Sequence, residues 1–235
     1  MIVFTLFIGS VPRSPMSPHV TLDSLMKLLT PVYPSFTIQE ALGVFRGNTE
    51  RTFLVKITPP DIVAFVQNVN AIRQKLDQDG IGIEHCGRYH RVAEGGILSG
   101  WLRELYPRIR PEYLHTVFQT SMPTSGWPVQ FAVVTAWNPN GQTQSESENI
   151  SLHLELGARC TKLGLTHWEI AGCSPDLDHV EPSFGIEISL FDALSLARQY
   201  RQEALFWIHN GQLSLVSCTC EIEIPMGAWD ARIRK

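Results

Sequence analysis

The sequence predicts an α+β protein whose two halves pass through the same order of elements: strand, helix, strand, strand, helix, strand. Three observations carry this expectation. Alternating apolar residues mark short strands, apolar stripes of helical period mark helices, and capping signals separate the two kinds in the same order twice. A first domain is expected over residues 1–93, a connecting helix and strand over 94–126, and a second domain over 127–235.

The opening strand is read from Val3 to Ile8, followed by a proline- and serine-rich loop from Ser10 to Pro18. Leu22, Leu25, Met26 and Leu29 then recur at helical spacing and stop at Pro31 and Pro34. Two β-rich runs, Phe36 to Val44 and Thr52 to Ile57, flank the turn residues Arg46, Gly47 and Asn48. In Thr58-Pro59-Pro60-Asp61, Thr58 is expected as N-cap, with Pro59 at the first helical position and Asp61 closing a capping box. The helix that follows places Ile62, Phe65, Val66, Val69, Ile72 and Leu76 on one stripe and ends at Asp79-Gly80. A strand over Ile81 to Glu84 turns at Cys86-Gly87.

In the second half, Val129 to Ala136 is nearly all apolar, as suits a central strand covered on both faces. Ser145 and Glu148 form a capping box before a helix carrying Ile150, Leu152, Leu154, Leu156 and Cys160. Strands are read at Leu165 to Ala171 and around Phe184, Ile186 and Ile188. Ser189 and Asp192 open a second helix, expected to bury Phe191, Leu194, Ala197 and Tyr200. Asn210-Gly211 joins Leu205–His209 to Leu213–Val216 as a hairpin. In the connecting segment, Leu98, Trp101, Leu102, Leu105 and Tyr106 suggest a short helix after Ser99, and Tyr113 to Thr120 an extra strand.

The order found twice is the split βαββαβ, ferredoxin-like pattern, so the fold class expected is two tandem ferredoxin-like domains, antiparallel sheets with helices on one face. A short echo supports duplication. Gln78-Asp79-Gly80-Ile81 with His85 and Gly87 matches Gln202-Glu203-Ala204-Leu205 with His209 and Gly211 at equal spacing.

Composition narrows the function classes. A 235-residue chain with 44% hydrophobic residues builds a core, and a net charge of −4 offers no general field for nucleic acid or anionic lipid. The apolar start lacks the basic flank and cleavage pattern of a signal peptide, so a cytoplasmic setting is expected. Five cysteines read as reduced, buried residues, with Cys218 and Cys220 on one strand face. His85, Cys86 and His90 lack a carboxylate partner at metal-site spacing, so neither metal nor cofactor is expected. The strands expected to carry stacking aromatics in an RNA-binding sheet, Val129 to Ala136 and Phe184 to Ile188, lack that aromatic and basic set.

Thr135-Ala136-Trp137-Asn138-Pro139, then Ser145, Glu148-Asn149, Ser174-Pro175-Asp176, Glu181-Pro182-Ser183-Phe184 and Gln202-x-Ala204, together resemble the bacterial domain-of-unknown-function family 3293 over about Tyr113 to Val216. The resemblance implies no activity. The chain departs from the family at Cys173, where glycine is usual, and at His179 and Val180, where aromatics are. Thr30-Pro31, Pro34, Phe36-Thr37, Glu40, Gly43 and Glu50 resemble domain-of-unknown-function family 3574 over about Phe4 to Val92.

The polar set that draws attention is Asn138, Ser145, Glu148, Asn149, Asp176, Glu181 and Ser183. A strand-to-helix loop at Asn138 leaves backbone N–H groups at a positive helix end, which suits a polar ligand. Turn and capping chemistry accounts for the same residue types without one. Two functions are therefore expected. The first is a non-catalytic module binding a small molecule or protein, a second copy of the chain included, through a groove between the halves or a sheet edge. The alternative is a small-molecule enzyme, such as a hydrolase, pairing Glu148 with Glu181 while Asn138 and Asn149 orient the substrate.

Overall fold

Alternation along the first strand does what the sequence predicts: Phe4, Leu6 and Ile8 point one way and are fully buried. They belong to β1 (Phe4–Gly9). The computed structural model describes residues 3–45, 47–85, 87–93, 109–121, 123, 126–219 and 222–234. It divides into two units, Met1–Arg108 and Ile109–Lys235. Among the described residues there are four α-helices and two sheets. The expected helix after Ser99 lies outside the described residues.

In the first unit, β1 is flanked on one side by β3 (Asn48–Ile57) and on the other by β4 (Gly80–His85). The hairpin partners β2 (Phe36–Phe45) and β5 (Arg88–Ala93) complete an antiparallel sheet of order β2-β3-β1-β4-β5. Helix α1 (Leu22–Leu29) buries Leu25 and Leu29, and α2 (Ile62–Lys75) buries the apolar stripe read from the sequence, with Phe65 packed 4.8 Å from Phe4.

Asp61, not Thr58, caps α2. Its carboxylate accepts from the amides of Val63 (2.7 Å) and Ala64 (3.0 Å). Pro60 has no N–H to offer a cap at Thr58, and it pushes Pro59 away from helical geometry. The helix also ends before Asp79-Gly80: Leu76 is the C-cap and Asp77 takes a left-handed φ of 51°.

The second unit centres on β7 (Gln130–Val134), between β10 (Ala204–His209) and β9 (Val180–Ile186), with β8 (His167–Cys173) beyond β9. Helices α3 (Glu146–Lys162) and α4 (Leu190–Gln199) connect these strands. The run β8-β9-β7-β10 repeats the connectivity of β2-β3-β1-β4 in the first unit. Beyond it, β11 (Gln212–Ser217) and β12 (Glu223–Ala228) extend one edge, while β6 (Val117–Gln119) and β13 (Ile233–Arg234) extend the other. The expected strand from Tyr113 is shorter, since Pro111–His115 is a 3₁₀ turn ahead of β6. One pairing is parallel, β13 with β6, so this sheet is mixed rather than antiparallel throughout.

The helices pack on one face of this sheet, where Ala132, Val134, Leu156, Cys160, Phe184, Leu194 and Ala197 form a core. Phe191, expected to be buried, is 80% exposed, and of the apolar residues carried by α3, Ile150 (45%) and Leu154 (65%) are exposed as well. At about 100° per residue, Asn149, Leu152, Leu156 and Cys160 form the inward stripe of α3, and Ile150 and Leu154 sit a third of a turn round from it. In α4, Ala193, Leu194, Ala197 and Tyr200 share the inward side and Phe191 falls opposite. Cys218 lies in the turn after β11, which ends at Ser217, rather than on a strand. Cys220 is outside the described residues.

The other face curls on itself. β12 and β13 are at opposite ends of the strand order, yet only the 3₁₀ turn Trp229–Arg232 joins them. Such a turn spans about 10 Å, so the sheet must bring its edges together. Arg232 clasps them: its guanidinium donates to the carbonyls of Leu114 (2.9 Å) and Met226 (3.2 Å). Phe118 of β6 meets Phe206 of β10 edge-on at 5.0 Å, and Phe131, Trp168 and Trp229 fill the adjoining interior.

Candidate functional site

Curling leaves a cavity of about 620 Å³ in the second unit, within the usual size of a small-molecule site. Its apolar walls are Phe118, Val133, Phe206 and Leu215, from β6, β7, β10 and β11. Its polar residues come from strand ends and flanking segments: Arg110 and Tyr113 ahead of β6, Asn138 after β7, His179 and Glu181 at the start of β9, and Gln202 ahead of β10.

Asn138 follows β7 in a left-handed conformation (φ 48°), which asparagine tolerates better than most residues. Its amide and that of Asn149 are reciprocally bonded. The Asn138 backbone N–H donates to Asn149 Oδ1 (2.8 Å), and Asn149 Nδ2 donates to Asn138 Oδ1 (3.0 Å). Asn149, 3% exposed, therefore holds Asn138 from behind rather than reaching a ligand. Asn138 Nδ2 is left to donate to Glu181 Oε1 at 3.2 Å. His179 Nε2 approaches the same oxygen, also at 3.2 Å. Glu181 Oε2 has no hydrogen-bond partner among the described residues.

Of the seven residues expected to form a site, Asn138, Glu181 and Ser183 line the cavity, while Ser145, Glu148, Asn149 and Asp176 do not. Ser145 and Glu148 are occupied as the cap of α3. Glu148 Oε2 accepts from the Ser145 backbone N–H (3.0 Å) and hydroxyl (2.6 Å), and those bonds hold its carboxyl below the ordinary value. Asp176 accepts from the Ser174 hydroxyl (2.5 Å) and the Asp178 amide (3.3 Å) in an exposed turn, with its pKa lowered by the same serine. Ser183 donates to the Glu181 carbonyl at 3.2 Å.

Sequence reading missed the other polar lining. Arg110 pairs with Glu203 (Nε to Oε2, 2.8 Å) and is held protonated by that bond first of all. Tyr113 has its pKa pushed up to about 12, mainly by burial and then by the negative charge of Glu203. Gln202 Nε2 donates to the Trp137 carbonyl at 3.0 Å. Gln202 carries two sequence signals, the echo of Gln78 and the Gln202-x-Ala204 motif of the family resemblance, and neither one assigns it to a site. Cys173 also lines the cavity, and burial raises its thiol pKa.

No group of three His, Cys, Asp or Glu side chains poised for a metal occurs among the described residues. His85 is buried against the Val3 carbonyl (Nδ1 to O, 2.8 Å), His90 pairs across the hairpin with Ile83, and Cys86 lies outside the described residues. No helix among the described residues is long and apolar enough to cross a membrane.

The family model described as Protein of unknown function (DUF3293) matches residues 134–205. The match runs from the end of β7 to the start of β10 and contains all seven residues read as a site. It does not reach the first half, and the expected resemblance of that half to family 3574 is not shown. No curated protein matches the chain significantly. Among solved structures, a phage SAM lyase in its apo state is similar at 16% identity and a TM-score of 0.30, covering 41% of this chain and 91% of its own. A putative chlorite dismutase is similar at 14% identity and a TM-score of 0.19, covering 98% and 97%. Both likenesses are too distant to carry a fold or a function.

Proposed function

We propose that the second unit is a binding module that takes a small organic molecule into its curled face. We read both units as ferredoxin-like domains in tandem, a reading supported by the repeated strand connectivity. The observation that carries the functional reading is the cavity itself. Apolar walls from four strands meet convergent polar groups from four separate segments, the composition expected of a ligand pocket. The enzyme alternative has less support, because Glu148 is committed to its helix cap and does not line the cavity with Glu181.

The test is a fragment screen by ligand-observed NMR on the full chain and on Ala204→Leu, which adds three carbons to a wall residue. Fragments that bind the wild type should lose binding in the variant while its melting temperature stays within a few degrees. Hits that bind Ala204→Leu equally well would place the ligand elsewhere and defeat the proposal.

A further inference from the structure

We infer that the cavity selects a ligand bearing an ammonium or amidinium group, seated against Glu181 with its apolar body on the Phe118–Phe206 wall. The inference rests on the binding reading above and names its ligand class.

Charge is the first argument. Glu112 and Glu181 line the cavity, and Arg110 is its lining guanidinium. That guanidinium is already taken by Glu203, whose two oxygens lie 2.8 and 3.4 Å from Arg110 Nε and Nη2. An anionic ligand would have to displace Glu203 and would meet two further carboxylates. The remaining titratable lining groups are His115, His179, Tyr113 and Cys173, and none of them carries a fixed positive charge.

Geometry is the second. Two donors converge on Glu181 Oε1, from Asn138 Nδ2 and His179 Nε2, and they orient the carboxylate while leaving Oε2 as an unused acceptor. The side chain is 26% exposed, so water screens it only in part. An acceptor-only group held this way is completed by an N⁺–H donor. Third, Tyr113, Trp137, Phe118 and Phe206 line the same space, and aromatic faces attract cations where the site excludes water.

Three probes sharing one ring separate the terms: tryptamine (ammonium), tryptophol (neutral) and indole-3-acetate (carboxylate). Each is titrated calorimetrically into the full chain and into Glu181→Gln. Tryptamine should bind about tenfold or more tighter than tryptophol, and indole-3-acetate weaker than both. Glu181→Gln should bring tryptamine to the level of tryptophol and leave tryptophol unchanged. Equal affinities for tryptamine and tryptophol in the wild type would overturn the cation inference while the cavity reading stands. Tryptamine binding that is unchanged in Glu181→Gln would overturn it in the same way. Should that variant fail to fold, the wild-type ratio of the three probes decides. Absence of binding by all three, or binding that survives Ala204→Leu, would remove the cavity reading and the inference with it.

Discussion

Gln78 and Gln202 do the same work in the two units: each reaches from a helix end to a backbone carbonyl in the loop after the central strand of its sheet, β1 or β7. Gln78 Nε2 donates to the Val11 carbonyl and Gln202 Nε2 to the Trp137 carbonyl, both at 3.0 Å. The likeness extends to the backbone. The amide of each glutamine bonds the carbonyl five residues back, Arg73 or Ala197. The preceding residue is left-handed in both, Asp77 at φ 51° and Arg201 at φ 54°. Its carbonyl accepts from that same loop, from the Arg13 amide at 2.6 Å and the Asn140 amide at 2.7 Å.

Gln78→Ala and Gln202→Ala should therefore each destabilise the chain by about 1–2 kcal/mol, because each orphans a partly buried carbonyl. Urea denaturation followed by circular dichroism reads the loss. A change under about 0.3 kcal/mol in either variant would mean the bond does not hold the loop.

The left-handed residues should respond in opposite directions. Arg201→Gly removes a steric penalty and keeps the carbonyl bond, so it should stabilise by about 1 kcal/mol. Asp77→Gly should lower the denaturation midpoint instead, since the carboxylate accepts from the Ser14 amide (2.9 Å) and the Ser17 hydroxyl (2.7 Å).

Those bonds also give Asp77 a pH signature. Hydrogen bonds from Ser17, then Ser14, hold its pKa below 3.8 in the folded chain. Its contribution is complete above that unfolded value and disappears as pH falls through the lower folded one. Asp77→Asn should make the melting temperature less sensitive to pH between about 5 and 2. An identical pH profile for variant and wild type would contradict this.

Gly185→Ala tests the aromatic interior. A Cβ at Gly185 would collide with the Trp168 ring, which lies 5.1 Å from Phe131. The ring must move, so the variant should lose about 1–3 kcal/mol and shift tryptophan emission. Wild-type emission and stability together would show that the ring does not pack there.

Helix α4 supplies a paired test. Leu194→Ala, at a position 7% exposed, should cost about 2–4 kcal/mol. Phe191→Ala, at a position 80% exposed, should change stability by under about 0.5 kcal/mol. Equal losses would return Phe191 to the core where its chemistry first suggested it belonged.

Local physics was legible in the residues. Alternation located β1, the Ser145–Glu148 pair marked the start of α3, and Asn210-Gly211, with φ of 50° and 71°, closed its hairpin. Each depends on neighbours a few positions apart. Where two local rules competed, the reading erred: at Thr58 and Asp61 the prolines decided which cap had amides to bond, and on α3 and α4 a second apolar stripe had no sheet to meet.

The site divides along the same line. Asn138, Glu181 and Ser183 were nameable because turns and strand ends collect polar residues, a rule that works from composition. Gln202 joins them through the pairing of β10 with β7, and Arg110 and Tyr113 cross to it as a four-residue turn and the Arg232 clasp draw the two edges of the sheet together. Arg110 pairs with Glu203 across 93 positions of chain. Periodicity and capping act over one or two turns of backbone, so they specify the strands and helices. Closure of the sheet is a sum of long-range pairings and aromatic packing, and that sum is what creates the cavity.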